Sequence, residues 1–294
     1  MPVNTKTKIG KTASGRRISS CSKCYVRDVC IASARSTGID PAGGHLICTN
    51  GFCGGRTQGS TNAGIYGGTL NKRNYSRESE KIMEQARCRG EYPRLLLHSC
   101  CAPCSSHCLE LLREYFQVTV FYYNPNITEM REYEFRKAEE LRLIREYNAQ
   151  VERQTFDGMH SSPAAGKIEV LESPYDPGVF MEAVRGYEHC PEGGDRCGIC
   201  FTLRLQETAR RAAENHFDFF TTTLTISPLK DAERLNRIGE ETAEEYGVAW
   251  LPSDFKKKDG YKRSIELSAR FGLYRQNYCG CIYSRQKRTD SAKQ

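Results

Sequence analysis

Short apolar runs alternate with amphipathic segments between residues 95 and 272, and this alternation constrains the fold more than any other feature. The strand-like runs are LLLH (95–98), VTVFYY (118–123), FDFFTTTLT (217–225) and VAWLP (248–252). Most are separated by segments with a helical period, which are long enough to cross between parallel strands. The chain is therefore predicted to form an α/β, Rossmann-like layered domain with a mostly parallel sheet and flanking helices.

The segments between these runs are predicted helices, apart from AQVERQTF (149–156), which is predicted as a further strand. The helices are expected at 75–87, 105–116, 128–147, 176–186, 198–216, 231–247 and 262–272. In parallel sheets, sites gather at the carboxyl ends of the strands. The loop that follows the strand at 95–98 is therefore a candidate site.

Composition divides the chain into three parts. Residues 1–70 are rich in Gly, Ser, Thr, Lys and Arg without a sustained period, which predicts a poorly ordered extension. Residues 71–285 are predicted to form the folded domain, with a helical, metal-binding part at its C-terminal end. Residues 286–294 are a basic tail.

Charge follows this division. Residues 1–90 carry 15 Lys/Arg against 5 Asp/Glu, and residues 256–294 carry 11 against 3, whereas residues 91–255 carry 17 against 28. Basic ends suit a polyanion such as RNA, although solvated tails would have the same composition.

The 294-residue chain has no apolar run near twenty residues, and its first 30 residues lack the apolar core of a secretory signal. A cytoplasmic protein without a membrane partner is expected. Cytoplasmic thiols stay reduced, so the 15 cysteines are expected to be metal ligands or redox reactants more often than disulfides.

Three cysteine groups stand out: HSCCAPCSSHC (98–108), DRCGIC (195–200) and YCGC (278–281). The second group opens a predicted helix, and the first leads into another, where free N–H groups stabilise thiolates. A tetrathiolate could hold Zn²⁺ or an iron–sulfur cluster, and its candidate ligands are Cys100, Cys101, Cys197 and Cys200. Adjacent cysteines suit a cluster, or two metal centres, better than one tetrahedral ion, because neighbouring Cβ vectors diverge. A thioredoxin-type dithiol of Cys101 and Cys104 is an alternative.

Cys279 and Cys281 are separated by a single glycine. Such a pair can close a small, strained disulfide that is redox-labile, although two unrelated cysteines would give the same spacing. Five cysteines of the extension fit no recognised pattern and leave an extra metal site open; they are Cys21, Cys24, Cys30, Cys48 and Cys53.

Longer motifs resemble a known family. They are LLLHSCCAPCSS, VTVFYYNPNI, PEGGDRCGICFTLRL, FFTTTLTISPLKDAERLNRIG and DFKKKDGYKRSIELSARFGLYRQNYCGCIYS, preceded by NKRNYSRESEKIMEQ. Over about residues 71–285 the chain resembles the cobalamin-independent epoxyqueuosine reductases, the QueH family. The resemblance implies a tRNA-modifying oxidoreductase that converts epoxyqueuosine to queuosine at the anticodon wobble position. The conversion is a two-electron removal of the epoxide oxygen.

The resemblance also implies a 4Fe–4S cluster on Cys100, Cys101, Cys197 and Cys200, and a redox-active disulfide between Cys279 and Cys281. Cys104 is a candidate ligand of an adjacent mononuclear iron, although some members of the family carry Asp at this position. Neither cobalamin nor ATP is expected. The partners would be a tRNA that carries epoxyqueuosine and an electron donor that the sequence does not identify.

Further site residues are expected around these cysteines. His98 is a candidate proton donor, although a histidine at the end of a buried strand is more often structural. RNA contacts are expected from KKKDGYKR, where basic residues adjoin an aromatic ring. The residues concerned are Lys256, Lys257, Lys258, Lys262 and Arg263, and a solvated helix face is the alternative.

Two other functions compete with the reductase. An ATP-using or sulfur-inserting tRNA enzyme of related fold would place a Gly-rich phosphate loop after the first strand, where this chain has HSCCAPC. A non-catalytic, zinc-stapled RNA-binding protein would need neither the adjacent cysteines nor the CGC pair.

Overall fold

The structure is a computed structural model that describes residues 72–156 and 162–285, which belong to one compact unit, Thr69–Gln294. The predicted extension with its five cysteines and the basic tail lie outside the described residues. None of the helices in the described part of the chain is both long and apolar enough to cross a membrane.

Five parallel strands form one sheet, which confirms the predicted α/β class. The strands are β1 (Arg94–His98), β2 (Gln117–Phe121), β3 (Glu169–Leu171), β4 (Phe219–Thr222) and β5 (Ala249–Trp250). Their order across the sheet is β3-β2-β1-β4-β5, and every neighbouring pair is parallel. From β1 the chain forms β2 and β3 on one side of that strand, and it then returns to form β4 and β5 on the other side. The loops after β1 and β4 therefore lead to opposite faces and leave a crevice between them.

Seven helices accompany the sheet in the described residues. They are α1 (Tyr75–Arg89), α2 (Ala102–Leu112), α3 (Met130–Arg153), α4 (Pro177–Ala183), α5 (Asp195–Glu214), α6 (Ala232–Tyr246) and α7 (Gly260–Arg270).

The side chains of β1 alternate between the two faces of the sheet. Leu95 and Leu97 pack into a buried cluster with residues of α2 and α3. Leu96 points to the opposite face and joins a second cluster with residues of α5 and α6. Because successive strand residues point to opposite faces, the run LLL fills both layers at once.

The predicted strand at 149–156 is wrong, because α3 continues to Arg153 and ends at Gln154 in the left-handed conformation. Buried residues recur at helical spacing as far as Tyr147, which packs against α2 and holds the helix in place. The missed strand is β3, which has only three residues, none of them buried, and pairs with β2 at the sheet edge. A short, exposed edge strand carries no apolar run for a sequence pattern to detect.

Two other bounds differ in ways that affect the site. Helix α2 begins at Ala102, three residues earlier than predicted, with Pro103 in its first turn, where a proline is well tolerated. Cys104 therefore lies inside that turn. Strand β4 ends at Thr222 and continues as a 3₁₀ turn over Thr223–Ile226.

Candidate active site

The loop after β1 is held against the turn after β4 by threonine side chains. The backbone N–H of Cys100 donates to Oγ1 of Thr223 at 3.2 Å, and this hydroxyl lies 3.4 Å from the Cys100 sulfur. At the ends of the two strands, His98 is bonded to Thr222 at 2.8 Å. The adjacent cysteines therefore lie in the crevice where the strand order reverses.

Three thiols gather in this loop and in the first turn of α2. The sulfur atoms of Cys100, Cys101 and Cys104 all lie within 4.8 Å of one another, and those of Cys100 and Cys101 are 3.8 Å apart. Cys101 is buried, and the other two are half-buried. Among the described residues, no other group of three or more potential metal ligands lies this close together.

The three thiols differ in acidity. Hydrogen bonds from Cys101, Cys104 and Thr223 hold the pKa of Cys100 well below its ordinary value. The pKa of Cys101 and of Cys104 is raised, because each thiol bonds to Cys100 as a donor and both are buried. The loop thus presents one sulfur that ionises readily and two thiols beside it.

The second cysteine pair lies on the first turns of α5. The sulfur of Cys197 accepts a hydrogen bond from the backbone N–H of Gly193 at 3.3 Å, and Cys200 is buried one turn further on. A Cβ on Gly198, between them, would come within 1.9 Å of the guanidinium group of Arg234. That guanidinium bonds the carbonyls of Gly193 and Gly194, so a glycine is needed where the two pack together.

The four predicted cluster ligands come from facing elements rather than from one tight group. Cys197 and Cys200 do not belong to the group within 4.8 Å, although Cys100 and Cys197 pack against the same apolar cluster. A single tetrahedral ion with bonds of 2.3 Å would need ligand sulfurs about 3.8 Å apart. In a 4Fe–4S cluster each thiolate binds a different iron, so wider spacing is compatible with it.

The CGC segment contributes a third cysteine pair to the site. Cys279 and Cys281 are both thiols, with their sulfur atoms 3.4 Å apart, and no disulfide is present among the described residues. The neighbouring Cys281 thiol holds the pKa of Cys279 well below its ordinary value, whereas the pKa of Cys281 is raised. Cys279 is therefore the readily ionised member of this pair.

Buried polar groups fix the CGC segment from α3 and from the loop before it. The Arg136 guanidinium donates to the carbonyls of Cys279 (3.3 Å) and Tyr278 (3.5 Å), and Asn126 donates to the Cys279 carbonyl at 3.3 Å. Gly280 has φ +110°, and a Cβ there would lie 2.7 Å from Ile127. The segment therefore needs glycine for both its conformation and its packing.

A cavity of about 260 Å³ is lined by residues of both thiol groups. Cys100 and Cys104 line it from the loop after β1 and the first turn of α2, and Cys279 lines it from the CGC segment. Four cations also reach it, namely Arg136, Arg204, Lys230 and Arg275. Cys200 contributes indirectly, because it shares a buried cluster with Cys279 and its carbonyl accepts from Arg204 at 3.2 Å. Glu192 is the one acidic residue among the described residues of this wall, so thiols and a net positive charge bound the cavity.

His98 has both ring nitrogens occupied. Nε2 lies 3.0 Å from the carbonyl of Tyr123, which can only accept, so this nitrogen carries the proton and Nδ1 accepts from Thr222. Burial lowers the pKa of His98 to about 3, and the charge of Arg204 acts in the same direction. This geometry supports the structural reading, a neutral imidazole that ties β1 to β4, and His98 is not among the residues that line the cavity.

The residues expected to bind RNA fall into two places. Lys256, Lys257 and Lys258 line a groove of about 860 Å³ beside α1, where Lys256 pairs with Asp254 and Lys258 with Glu80. Lys262 is exposed on α7.

Arg263 points inward instead. It forms a two-pronged ion pair with the buried Glu110 of α2, at 2.9 and 2.7 Å. Arg263 therefore links α7 to α2, and its role in this structure is to stabilise the fold.

The sequence patterns did not single out three cations of the cavity, Arg136, Arg204 and Lys230. Lys230 could have been found, because it follows β4 as the cysteines follow β1, at the same carboxyl edge of the sheet. Arg136 and Arg204 lie in the middle of amphipathic helices, where arginine is common on solvated faces, and nothing in the local pattern shows that they turn inward.

Comparison with known proteins identifies the family. The family model for "Epoxyqueuosine reductase QueH" matches residues 95–287, which contain all three cysteine groups of the site. The chain belongs to the epoxyqueuosine reductase QueH family. As a QueH protein it is an oxidoreductase, which confirms the predicted enzyme class.

Individual QueH proteins are similar over most of their length. The epoxyqueuosine reductase QueH of Streptococcus pyogenes is 38% identical over 213 residues, 72% of this chain and 78% of that protein. The QueH of Staphylococcus epidermidis is 37% identical over 76% of this chain and 89% of its own. That of Thermotoga maritima is 33% identical over 67% and 92%.

Proposed function

We propose that this chain reduces epoxyqueuosine at the wobble position of tRNA to queuosine. The observation that carries the proposal is the cavity whose wall includes two separate thiol groups, in a chain whose relatives are named epoxyqueuosine reductases. The reaction replaces an epoxide by an alkene, with two electrons and two protons removing the oxygen as water. A tRNA substrate implies that the enzyme works in the cytoplasm.

The thiols on the β1 side suit an iron–sulfur centre. Cys100, Cys101, Cys197 and Cys200 would hold a 4Fe–4S cluster, and Cys104 would be available to an adjacent mononuclear iron. The fit rests on the donor set: thiolate sulfur selects zinc and iron–sulfur centres, and Cys100 ionises readily among three clustered thiols. A bound cluster would supply electrons singly and at low potential.

The two thiols of the CGC segment can supply an electron pair themselves. When Cys279 and Cys281 form a disulfide, they release two electrons. An external low-potential donor must then reduce the disulfide to two thiols again. Their sulfur atoms, 3.4 Å apart, need to approach to about 2.05 Å. Arg136 and Asn126 would hold the Cys279 carbonyl while the sulfurs move, so the pair stays at the cavity.

The groove beside α1 would carry the tRNA backbone. Seven Lys/Arg and four Asp/Glu line it, so its net charge is positive. Lys230 lines both the groove and the cavity, which makes the two surfaces continuous. A wobble base splayed into the cavity would therefore leave its neighbouring phosphates beside the groove, where lysines can neutralise them.

A single-turnover experiment tests the electron-pair role. Fully reduced, iron-loaded protein, freed of external reductant, is mixed with an excess of epoxyqueuosine tRNA; queuosine is measured by nucleoside mass spectrometry and thiols by alkylation. We expect up to one queuosine per chain and a disulfide mapped to Cys279 and Cys281.

Two variants serve as matched controls. Cys281→Ala should keep the cluster absorbance and form no queuosine, whereas Cys197→Ala should lose the absorbance. If Cys281→Ala formed as much queuosine as the unaltered protein, the dithiol role would be wrong. Loss of the cluster in both variants would show that the CGC pair has no separate role.

A further inference from the structure

Lys230 differs from the other cations of the cavity because its head group has no polar partner among the described residues. Arg136 pairs with Glu132, Arg204 bonds a helix carbonyl, and Arg275 bonds Ser264 and Ser268 of α7. The Lys230 ammonium lies 5.6 Å from the centre of the Phe201 ring, and it makes no hydrogen bond or ion pair with any residue that the structure describes.

The backbone holds Lys230 at the cavity. Its N–H donates to the carbonyl of Ser227 at 3.2 Å, closing the turn after β4, and the next residue, Asp231, caps α6 through its side chain. The side chain is half-buried and lines the same cavity as Cys100 and Cys279. A fixed backbone and a free ammonium suit a group that acts on a ligand.

The ammonium is close enough to act electrostatically on the thiols. The Cys281 thiol is the main cause of the low pKa of Cys279, and the charge of Lys230 lowers it further. Burial raises the pKa of Cys200. The charge of Arg204 lowers it, and the charge of Lys230 lowers it to a smaller extent.

Proton balance then points to the same residue. If Cys279 reacts as a thiolate, the CGC pair provides two electrons but only one proton, the one on Cys281. Water formation needs a second proton. Arginine retains its proton in proteins, whereas a lysine ammonium can give one up, so Lys230 is the one cation of this cavity wall that can supply it.

We propose that Lys230 is a catalytic acid that donates a proton to the epoxide oxygen as its C–O bonds break, an inference that rests on the proposed function. The thiolate of Cys279, the thiol of Cys281, the Lys230 ammonium and the epoxide yield a disulfide, a neutral lysine, the alkene and one water. The external electron donor and solvent protons then restore the thiols and the ammonium.

The test compares Lys230→Arg and Lys230→Gln with the unaltered protein in single-turnover reactions at saturating epoxyqueuosine tRNA. Arginine keeps the charge without an available proton. We expect both variants to lose roughly 10²–10⁴-fold in rate, while Lys230→Arg binds tRNA within about twofold of the unaltered protein and keeps its iron content.

A readout independent of turnover accompanies the rates. Alkylation of Cys279 by iodoacetamide near pH 7 should slow in Lys230→Gln and stay unchanged in Lys230→Arg, because only the former removes the positive charge. Lys167→Gln, outside the cavity where Lys167 pairs with Glu152, is the control and should match the unaltered protein throughout.

Two results would overturn the acid role. Full activity of Lys230→Arg would mean that charge alone is needed. If Lys230→Gln bound tRNA more weakly but had an unchanged single-turnover rate at saturating tRNA, Lys230 would be only a phosphate contact. The proposed function fails separately, because in that case the unaltered protein itself forms no queuosine.

Discussion

Replacing Arg263 by alanine should destabilise the fold and leave RNA recognition largely intact. The guanidinium meets Glu110 with two hydrogen bonds, and the pair links α7 to α2, the helix that carries Cys104. The Arg263 side chain is 15% exposed and that of Glu110 is 1% exposed. Alanine would therefore leave the Glu110 carboxylate buried without its partner.

The size of the effect follows from that burial. Removing one partner of a buried ion pair costs about 3–5 kcal/mol, because the remaining charge stays uncompensated. The slight exposure of Arg263 favours the lower end, about 3 kcal/mol. In a domain of this size, each kcal/mol lowers Tm by roughly 2–4 °C, so a fall of about 6–12 °C is expected.

Urea unfolding followed by far-UV circular dichroism measures this free energy, and filter binding measures tRNA affinity. Lys262→Ala, exposed and next in sequence, should stay within about 0.5 kcal/mol of the unaltered protein. The double variant Glu110→Leu with Arg263→Met should recover much of the loss. An Arg263→Ala protein that unfolds normally but binds tRNA poorly would refute this reasoning.

Three further predictions concern other parts of the site. Burial raises the pKa of Glu140 from 4.5 to about 7, so its contribution to stability is complete below pH 4.5 and is lost as the pH rises through 7. Relative to the unaltered protein, Glu140→Gln should gain about 3 kcal/mol between pH 4 and pH 8 in urea unfolding, and a constant difference would contradict this. Gly280→Ala should form queuosine more than tenfold more slowly with normal iron content, because its Cβ meets Ile127 at 2.7 Å; normal turnover would disprove the packing argument. Lys257→Glu should weaken tRNA binding and reduce the slope of log affinity against log salt concentration by about one or more. The control variant Lys167→Glu should leave this slope unchanged. An unchanged slope in Lys257→Glu would show that the groove does not contact the RNA.

The sequence was most informative where local pattern and topology agree. The period of the apolar runs predicted four of the five strands, and the rule that sites lie at carboxyl ends predicted that Cys100 and Cys101 would lie in the crevice. A helix start within DRCGIC was also predicted, at residue 198, because a clear amphipathic segment follows; the structure begins the helix three residues earlier, at Asp195.

What the sequence could not predict depends on distant partners. Arg263 adjoins a basic, aromatic stretch typical of an RNA contact, yet its partner Glu110 lies 153 residues away along the chain. Arg136 has the same character: its role at the CGC segment depends on carbonyls that lie more than 140 residues further on. The 3.8 Å approach of the adjacent sulfurs is likewise a product of the turn into α2 rather than of spacing.

Metal content and product formation together provide the most direct test that this chain is an iron-dependent epoxyqueuosine reductase. The protein is purified and reconstituted without oxygen, analysed for iron, zinc and sulfide, and incubated with epoxyqueuosine tRNA and a low-potential reductant. We predict about four or more irons per chain with matching sulfide, and conversion of epoxyqueuosine to queuosine. Stoichiometric zinc without iron, together with no queuosine, would contradict the proposed function.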